Sequence, residues 1–493
     1  MKRIVRMLVS RTSLILLLVL AQIVLFLVLI DYVSAIGDWS IVFYVISIII
    51  VIYLIAKEEN PYYKISWIIP ILVFPLFGGL FYLFYRQRNL GSKVLKRHLN
   101  IYLNRYDYVH TYENKLKSKK SYYLDEQNWP AYEHTKTDFL PSGEIMFESM
   151  LKDIGEAKKY IFMEFFIISP GEMWDTLLAL LQEKLAQGLD IKLIFDDFGS
   201  STLPFWYEKK LRKMGFDVIN FNPMKIHLNF AMNYRDHRKI VVIDGKIGYT
   251  GGINIGDEYI NKISPFGHWL DAGIRIEGEA VWSLVISFLE TYRFMSKKDI
   301  FYENYKGHKL EKTDGFVAPF TDTPLDKELT TKNMYLSMIS SANTSIDITT
   351  PYLIIDNELN TSLKLAAKSG VKVRIIIPNI PDKRIVYMVT ESYVPELVEA
   401  GCNVYRYEPG FIHSKMMIVD NNKAMIGTAN LDFRSLYLHF ENTVFLDGCQ
   451  TIDEMTKFFN ETIEKSICVT KTGKRNIIYR LIQIMLKGFA TLM

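Results

Sequence analysis

The chain has 493 residues, enough for two or three domains, and a formal charge of only +4. That balance excludes a partner chosen by bulk charge and weighs against the basic groove of a nuclease. A hydrophobic content of 49% leans instead toward a membrane protein. Cys402, Cys449 and Cys468 fit no metal or redox spacing and read as small buried apolar residues.

Three apolar stretches crowd the first 86 residues: Leu14 to Val33, Trp39 to Ala56 and Trp67 to Tyr85. A helix of about 20 apolar residues crosses a bilayer core, so residues 1–92 read as a transmembrane helical module with spans near 14–33, 39–56 and 67–85. The first stretch has signal-peptide features, "KRIVR" and the "VSA" before Ile36. Its run is longer than a usual apolar region of such a peptide, and a second span follows at once. The third carries Pro70, Pro75, Gly78 and Gly79, and either crosses or re-enters as a hairpin. Lys2, Arg3, Arg6 and Arg11 ask for a cytoplasmic N-terminus. Arg86, Arg88, Lys93, Lys96 and Arg97 also ask to be inside, so either side of the membrane stays open for the domain that follows. Residues 93–128 read as a linker.

From Trp129 to Val469 strand-like and helical runs alternate, which argues for an α/β fold with mostly parallel sheets flanked by helices. "YIFMEFFII", "MWDTLLALLQEKLAQG" and "DIKLIFDD" have counterparts in "SIDITTPYLII", "NELNTSLKLAAKSG" and "VKVRIIIP". The chain therefore divides into two similar halves, 129–305 and 306–470, joined by a polar stretch around Phe301 to Pro324. Residues 471–493 form a last helical segment. Ile477, Ile478, Leu481, Ile482, Met485, Leu486 and Phe489 recur there at helical spacing, as in a helix lying in a membrane surface or docked on a core.

Each half contains the same constellation. "DHRKIVVIDG" holds His237, Lys239 and Asp244; "FIHSKMMIVD" holds His413, Lys415 and Asp420, 176 positions later. Both continue at identical spacing to Gly251 and Asn254, or to Gly427 and Asn430. A lone His-x-Lys is commonplace on a surface; two copies with matching Asp, Gly and Asn are not. Read as strands, the segments project each His and Lys from one face. The aspartates precede turn-like "DGK" and "DNNK", five residues or roughly 17 Å beyond the lysines at strand rise and further still from the histidines. They suit a structural or electrostatic role better than acid–base work.

Two imidazoles and two ammonium groups suit a phosphate. The lysines neutralise its oxygens, one histidine attacks phosphorus, and the other protonates the departing oxygen. The asparagine amides supply further hydrogen bonds. No carboxylate cluster suggests a metal, and no cofactor is implied. Asp271 and Glu441, 34 and 28 positions after their motif histidines, each begin a strand-like run that could lie beside its own motif strand and orient its histidine. His227, His268 and His439 lack such context and read as structural.

These residues resemble the phospholipase D superfamily, whose signature H-x-K-x4-D-x6-G-[GST]-x-N is complete in both halves. The membrane segment, "NYRDHRKIVVIDGKIGYTGGINIGDEYI" and "GTANLDFRSLYLHFE" are similar to the bacterial cardiolipin synthase subfamily. The resemblance implies two phospholipase D-like halves with helix-flanked mixed sheets. It also implies a multi-pass cell-membrane location and a metal-independent phosphatidyltransferase acting on phosphatidylglycerol and membrane lipids, not nucleic acid. It makes His237, Lys239, Asp244, His413, Lys415 and Asp420 the catalytic set, with His237 as nucleophile and His413 as acid, then base. Asn254 and Asn430 become phosphate-binding residues, and Asp271 and Glu441 histidine-orienting ones. A phospholipase D hydrolase, a transferase using another alcohol, and a catalytically dead scaffold are the competing readings.

Overall fold

The computed structural model describes residues 39–58, 60–74, 78–79, 82, 101, 105–109, 122–223, 234–307, 309–311, 313–326, 328–470 and 476–492. The apolar stretch 14–33, the basic cluster 86–97 and His227 lie outside them. The chain forms two compact units, Met1–Arg86 and Gln87–Met493.

In the first unit, α1 (Trp39–Ala56) presents Ile48, Ile49, Ile52 and Ile55 outward. α2 (Pro61–Val73) opens with a proline at its first position and with the Asn60 side chain accepting from the Tyr62 amide. Stretch 67–85 is therefore not one helix. Phe74 leaves the α region, at φ −129° and ψ 76°, because Pro75 follows it. Gly78 then returns against α2, so closely that a Cβ there would lie 2.3 Å from the Pro70 carbonyl oxygen. Leu54, Ile71 and Tyr82 form the small core of this unit. Among the described residues no helix is long and apolar enough to cross a membrane. The 18 residues of α1 rise about 27 Å, against a hydrocarbon core of roughly 30 Å.

The second unit holds two mixed sheets. In chain order the first half supplies β1 (Thr135–Leu140), α3 (Gly143–Glu156), β2 (Tyr160–Phe165), α4 (Glu172–Ala186), β3 (Asp190–Asp196), β4 (Asp217–Phe221), β5 (Arg235–Asp236), β6 (Lys239–Ile243), β7 (Ile247–Gly251), β8 (His268–Leu270), β9 (Gly273–Gly278) and α5 (Val281–Ser296). The second supplies β10 (Phe316–Asp322), α6 (Thr330–Ser340), β11 (Ser345–Thr349), α7 (Asn357–Lys368), β12 (Lys372–Pro378), α8 (Arg384–Glu399), β13 (Asn403–Tyr407), β14 (Gly410–Ile412), β15 (Met416–Val419), β16 (Lys423–Gly427), β17 (His439–Asp447), α9 (Thr451–Glu464), β18 (Ser466–Cys468) and α10 (Ile477–Gly488).

The strand orders are β1-β9-β7-β6-β2-β3-β4 and β10-β17-β16-β15-β11-β12-β13-β18. Only β2-β3-β4 and β11-β12-β13 run parallel; the remaining neighbours on these two paths are antiparallel. The expected predominance of parallel pairing does not hold, because each motif strand returns through a tight hairpin instead of a helix. The "DG" and "DN" turns dictate this. Asp244 and Gly245 have φ of 54° and 66°, and Asp420 and Asn421 have 52° and 51°, the positive pair a type I′ turn needs.

The polar stretch expected to join the halves is partly a strand, since β10 pairs along β17. The halves also exchange short arms: β5 runs parallel beside the start of β17, and β14 beside β8. Phe411, on β14, belongs to the first-half core. The exchange brings the ends of both motif segments to one place.

Phe162 on β2 is fully buried and stacks on Phe288 of α5 with centroids 4.5 Å apart. Phe162→Ala should destabilise the fold by about 3–5 kcal/mol, read as a lowered thermal-unfolding midpoint with the substitution Phe301→Ala, at an exposed site, as control.

Candidate active site

His237 lies between β5 and β6, and His413 between β14 and β15. Neither histidine is inside a strand, as the pattern had suggested, because its backbone amide is taken by the other half. The His237 amide donates to the Phe440 carbonyl at 2.9 Å and the His413 amide to the Leu270 carbonyl at 2.7 Å. The next residues are Glu441 and Asp271, and these are the imidazoles' partners.

The pairing runs crosswise. His237 Nδ1 sits 2.9 Å from both Glu441 oxygens, and His413 Nδ1 sits 2.6 Å from Asp271 Oδ2. Each carboxylate therefore orients the histidine of the opposite half, not its own. Both carboxylates are fully buried. A carboxylate beside Nδ1 fixes the tautomer that donates from Nδ1 and keeps a lone pair on Nε2.

Burial pushes the His237 imidazole down to about 3 and that of His413 to about 4, despite the pull of the carboxylates. Burial alone would raise Asp271 and Glu441, but their histidine partners hold both below the usual carboxylate range. Near neutral pH the resting pairs are thus neutral imidazole and carboxylate.

Lys239 Nζ donates to the His237 carbonyl at 2.5 Å, and Lys415 Nζ to the His413 carbonyl. Burial lowers these amines to about 8 and about 7. Lys239 depresses both Lys415 and His413 by charge repulsion, so the two motifs share one electrostatic site. Behind His237, Arg238 is buried between Asp236, at 2.9 Å, and Glu164, at 3.2 Å.

Asp244 and Asp420 lie at the far ends of β6 and β15 from the histidines. Asp244 accepts from the amides of Lys158, Lys159 and Tyr160 at 2.7–2.9 Å. Asp420 accepts from those of Asn343, Thr344 and Ser345 at 2.7–2.9 Å. Each ties the start of a parallel strand to a hairpin turn. Asn254 is occupied as well: its Oδ1 accepts from the Ile167 amide and its Nδ2 donates to the Tyr259 hydroxyl. Asn430 donates to Asp432, while its buried Oδ1 has no partner.

Other residues escaped the sequence reading. Asn442 joins the halves, accepting from the Lys239 amide and donating to Thr250. Thr428 donates to Glu441. At the equivalent place Gly252 leaves no room: a Cβ there would lie 2.1 Å from Asp271 Oδ1. His439, read as structural, is buried with its ring 5.4 Å from that of His237; neither of its nitrogens is hydrogen-bonded, and Nδ1 stands 3.7 Å from Glu441 Oε1. Its placement two residues before Glu441 was the available signal. His237, His439 and Glu441 bring ligand atoms within 4.8 Å of one another, the candidate metal-holding group among the described residues. His268, by contrast, is half of a surface contact with Tyr407. Cys402 and Cys449 are buried as expected, but Cys468 is exposed.

A duplicated α/β unit that buries two histidine–carboxylate pairs with two lysines in one site is the architecture of a phosphodiester-transferring enzyme. The family described as "Cardiolipin synthase, PLD-like domain" matches residues 150–271 and 335–463, and "Phospholipase D-nuclease N-terminal" matches 42–87. A cardiolipin synthase of Geobacillus sp. is 35% identical over 85% of this chain and 86% of its own length. Cardiolipin synthase 2 of Bacillus anthracis is 35% identical over 87% and 86%. An uncharacterised protein of Streptococcus mutans is 37% identical over 90% and 99%. The fold is similar to the crystal structure of a phosphatidylserine synthase from Haemophilus influenzae, with a TM-score of 0.58 at 17% identity, over 76% of this chain and 98% of that one. The chain belongs to the cardiolipin synthase family with phospholipase D-like domains.

Asp420 sits well below the ordinary carboxylate range; burial opposes this, but three backbone amides outweigh it. A depressed carboxyl stabilises the fold above its unfolded pKa of about 4 and loses that contribution as pH falls further. Asp420→Asn should therefore lower stability at pH 7 and flatten the fall of the unfolding midpoint on acidification. An acid limb as steep as the wild type's would contradict the cap.

Proposed function

We propose that the chain is a cardiolipin synthase that transfers a phosphatidyl group from one phosphatidylglycerol to another, releasing glycerol. The observation that carries this reading is the crosswise pair of histidine–carboxylate contacts, with both lysines in the same buried site, in a chain whose relatives carry that activity.

His237 attacks phosphorus through Nε2 while Glu441 holds Nδ1–H. A P–N bond forms and the P–O bond to glycerol breaks. The departing oxygen takes a proton from His413. That imidazole is neutral in the resting site, and the arriving anion favours its protonated form. The hydroxyl of the second phosphatidylglycerol then gives its proton back to His413 and attacks the phosphohistidine, restoring His237. Lys239 and Lys415 offset the phosphate charge, and the unpartnered Oδ1 of Asn430 accepts from a substrate hydroxyl.

Residues 1–92 serve as the membrane module, 93–128 as linker, 129–305 and 306–470 as the two catalytic halves, and 471–493 as a surface anchor. α10 supports the last role. It is held to α8 by Gln483 donating to the Met388 carbonyl and by Lys487 with Glu396, while Ile477, Ile478, Leu481, Ile484 and Met485 remain exposed. A helix docked by one face and apolar on the other suits a membrane surface.

The purified chain, reconstituted with phosphatidylglycerol and EDTA, should form cardiolipin and glycerol. His237→Ala and His413→Ala should each lower turnover by at least about a thousandfold. Phosphatidic acid as the sole product would make the chain a hydrolase, and full activity in either variant would sink the mechanism.

Lys415 binds phosphate as the ammonium form, which burial makes scarce above about 7. The value of kcat/KM should thus fall as pH rises from about 7 toward 9, and Lys415→Arg should shift the start of that fall upward, toward the value of about 8 at which Lys239 loses its proton, because a guanidinium stays protonated.

A further inference from the structure

The reaction described uses His237 and Glu441 but leaves His439 unexplained. Its imidazole is buried with neither nitrogen hydrogen-bonded, Nδ1 facing Glu441 Oε1 at 3.7 Å, and such a ring costs free energy unless a ligand or water completes it. The first half shows that the fold has no need of it. Trp269 stands two residues before Asp271, as His439 stands two before Glu441, with its ring 5.0 Å from that of His413. An indole cannot bind a metal there; an imidazole can.

We propose that His237, His439 and Glu441 form an inhibitory site for a divalent cation of the zinc class, one per chain, on the His237 side only. The donor set is two imidazoles and a carboxylate, a combination tetrahedral zinc accepts with a fourth position open. Ligands about 2.0–2.1 Å from such an ion lie roughly 3.3 Å apart. Here His237 Nδ1 is 2.9 Å from Glu441 Oε1, and His439 Nδ1 is 3.7 Å from the same oxygen. Those two separations straddle the required one, and all three ligand atoms lie within 4.8 Å of one another, so side-chain shifts of roughly 1–1.5 Å complete the site.

The consequence for activity follows from which contact the cation replaces. Occupying His237 Nδ1 removes the hydrogen bond that orients the imidazole and withdraws electron density from the ring, so the nucleophile is lost while the metal stays. Lys239 and Lys415 oppose a dication, which keeps the site weaker than a structural zinc site and makes inhibition reversible by a chelator. His413 has no equivalent third ligand, since Trp269 fills that place.

This inference rests on His237 being catalytic, but its binding arm is read without turnover. The test uses the full chain in detergent with Cys468→Ser, which removes the one exposed thiol. Cobalt(II) titration should give the visible bands of a tetrahedral site at one ion per chain. His439→Asn and His439→Gln should each weaken that binding by at least about tenfold. Zinc should inhibit cardiolipin formation, EDTA should restore it, and each His439 variant, measured against its own metal-free rate, should be at least about tenfold less sensitive. No tetrahedral cobalt spectrum, or equal cobalt binding and zinc sensitivity in the His439 variants, would overturn the proposal. Absence of cardiolipin from the metal-free enzyme would instead strike the functional reading, and the cobalt spectrum would still report on the site.

Discussion

The structure depends on an exchange. The carboxylate that orients each motif histidine belongs to the other half, at 2.9 Å for His237 with Glu441 and 2.6 Å for His413 with Asp271. Neither half is a complete site alone. The same arms that place the carboxylates, β5 beside β17 and β14 beside β8, also pair the backbones across the junction. Two buried charges that would be costly apart are placed where each has a partner. Fold and chemistry thus impose one constraint: the halves must meet in a single register or both pairs are lost.

Within that symmetry the two ends differ, and the differences are small in sequence. The shorter Asp271 is matched by Gly252, where any Cβ would strike it, and the longer Glu441 by Thr428, whose hydroxyl it accepts. Trp269 walls one histidine and His439 the other. A duplicated scaffold can in this way give two histidines different surroundings, which a reaction needs when one attacks and the other shuttles a proton.

Much of this was legible in the chain. The paired His-x-Lys spacing located the site, the "DG" and "DNN" turns marked the hairpins, and the alternation of strands with helices announced an α/β unit. Asp271 and Glu441 could be named as orienting acids, yet not to the correct histidines, because pairing between halves is a long-range contact that leaves no local periodicity. The predominance of parallel strands was misread because each motif strand returns through its hairpin turn, so that β6 with β7 and β15 with β16 pair antiparallel. His439 carried only its position before Glu441, and its burial beside His237 without a hydrogen bond is a tertiary feature with no local sequence signal. Asp244 and Asp420 drew attention through the motif, and their carboxylates accept from six backbone amides.

The crosswise pairing can be read directly from the low-field Nδ1–H proton resonances of the two motif histidines, assigned by His237→Gln and His413→Gln. Glu441→Gln should move or abolish the His237 resonance and leave that of His413 in place, while Asp271→Asn should do the reverse. If each substitution instead perturbs the histidine of its own half, the halves do not share their carboxylates and the account fails.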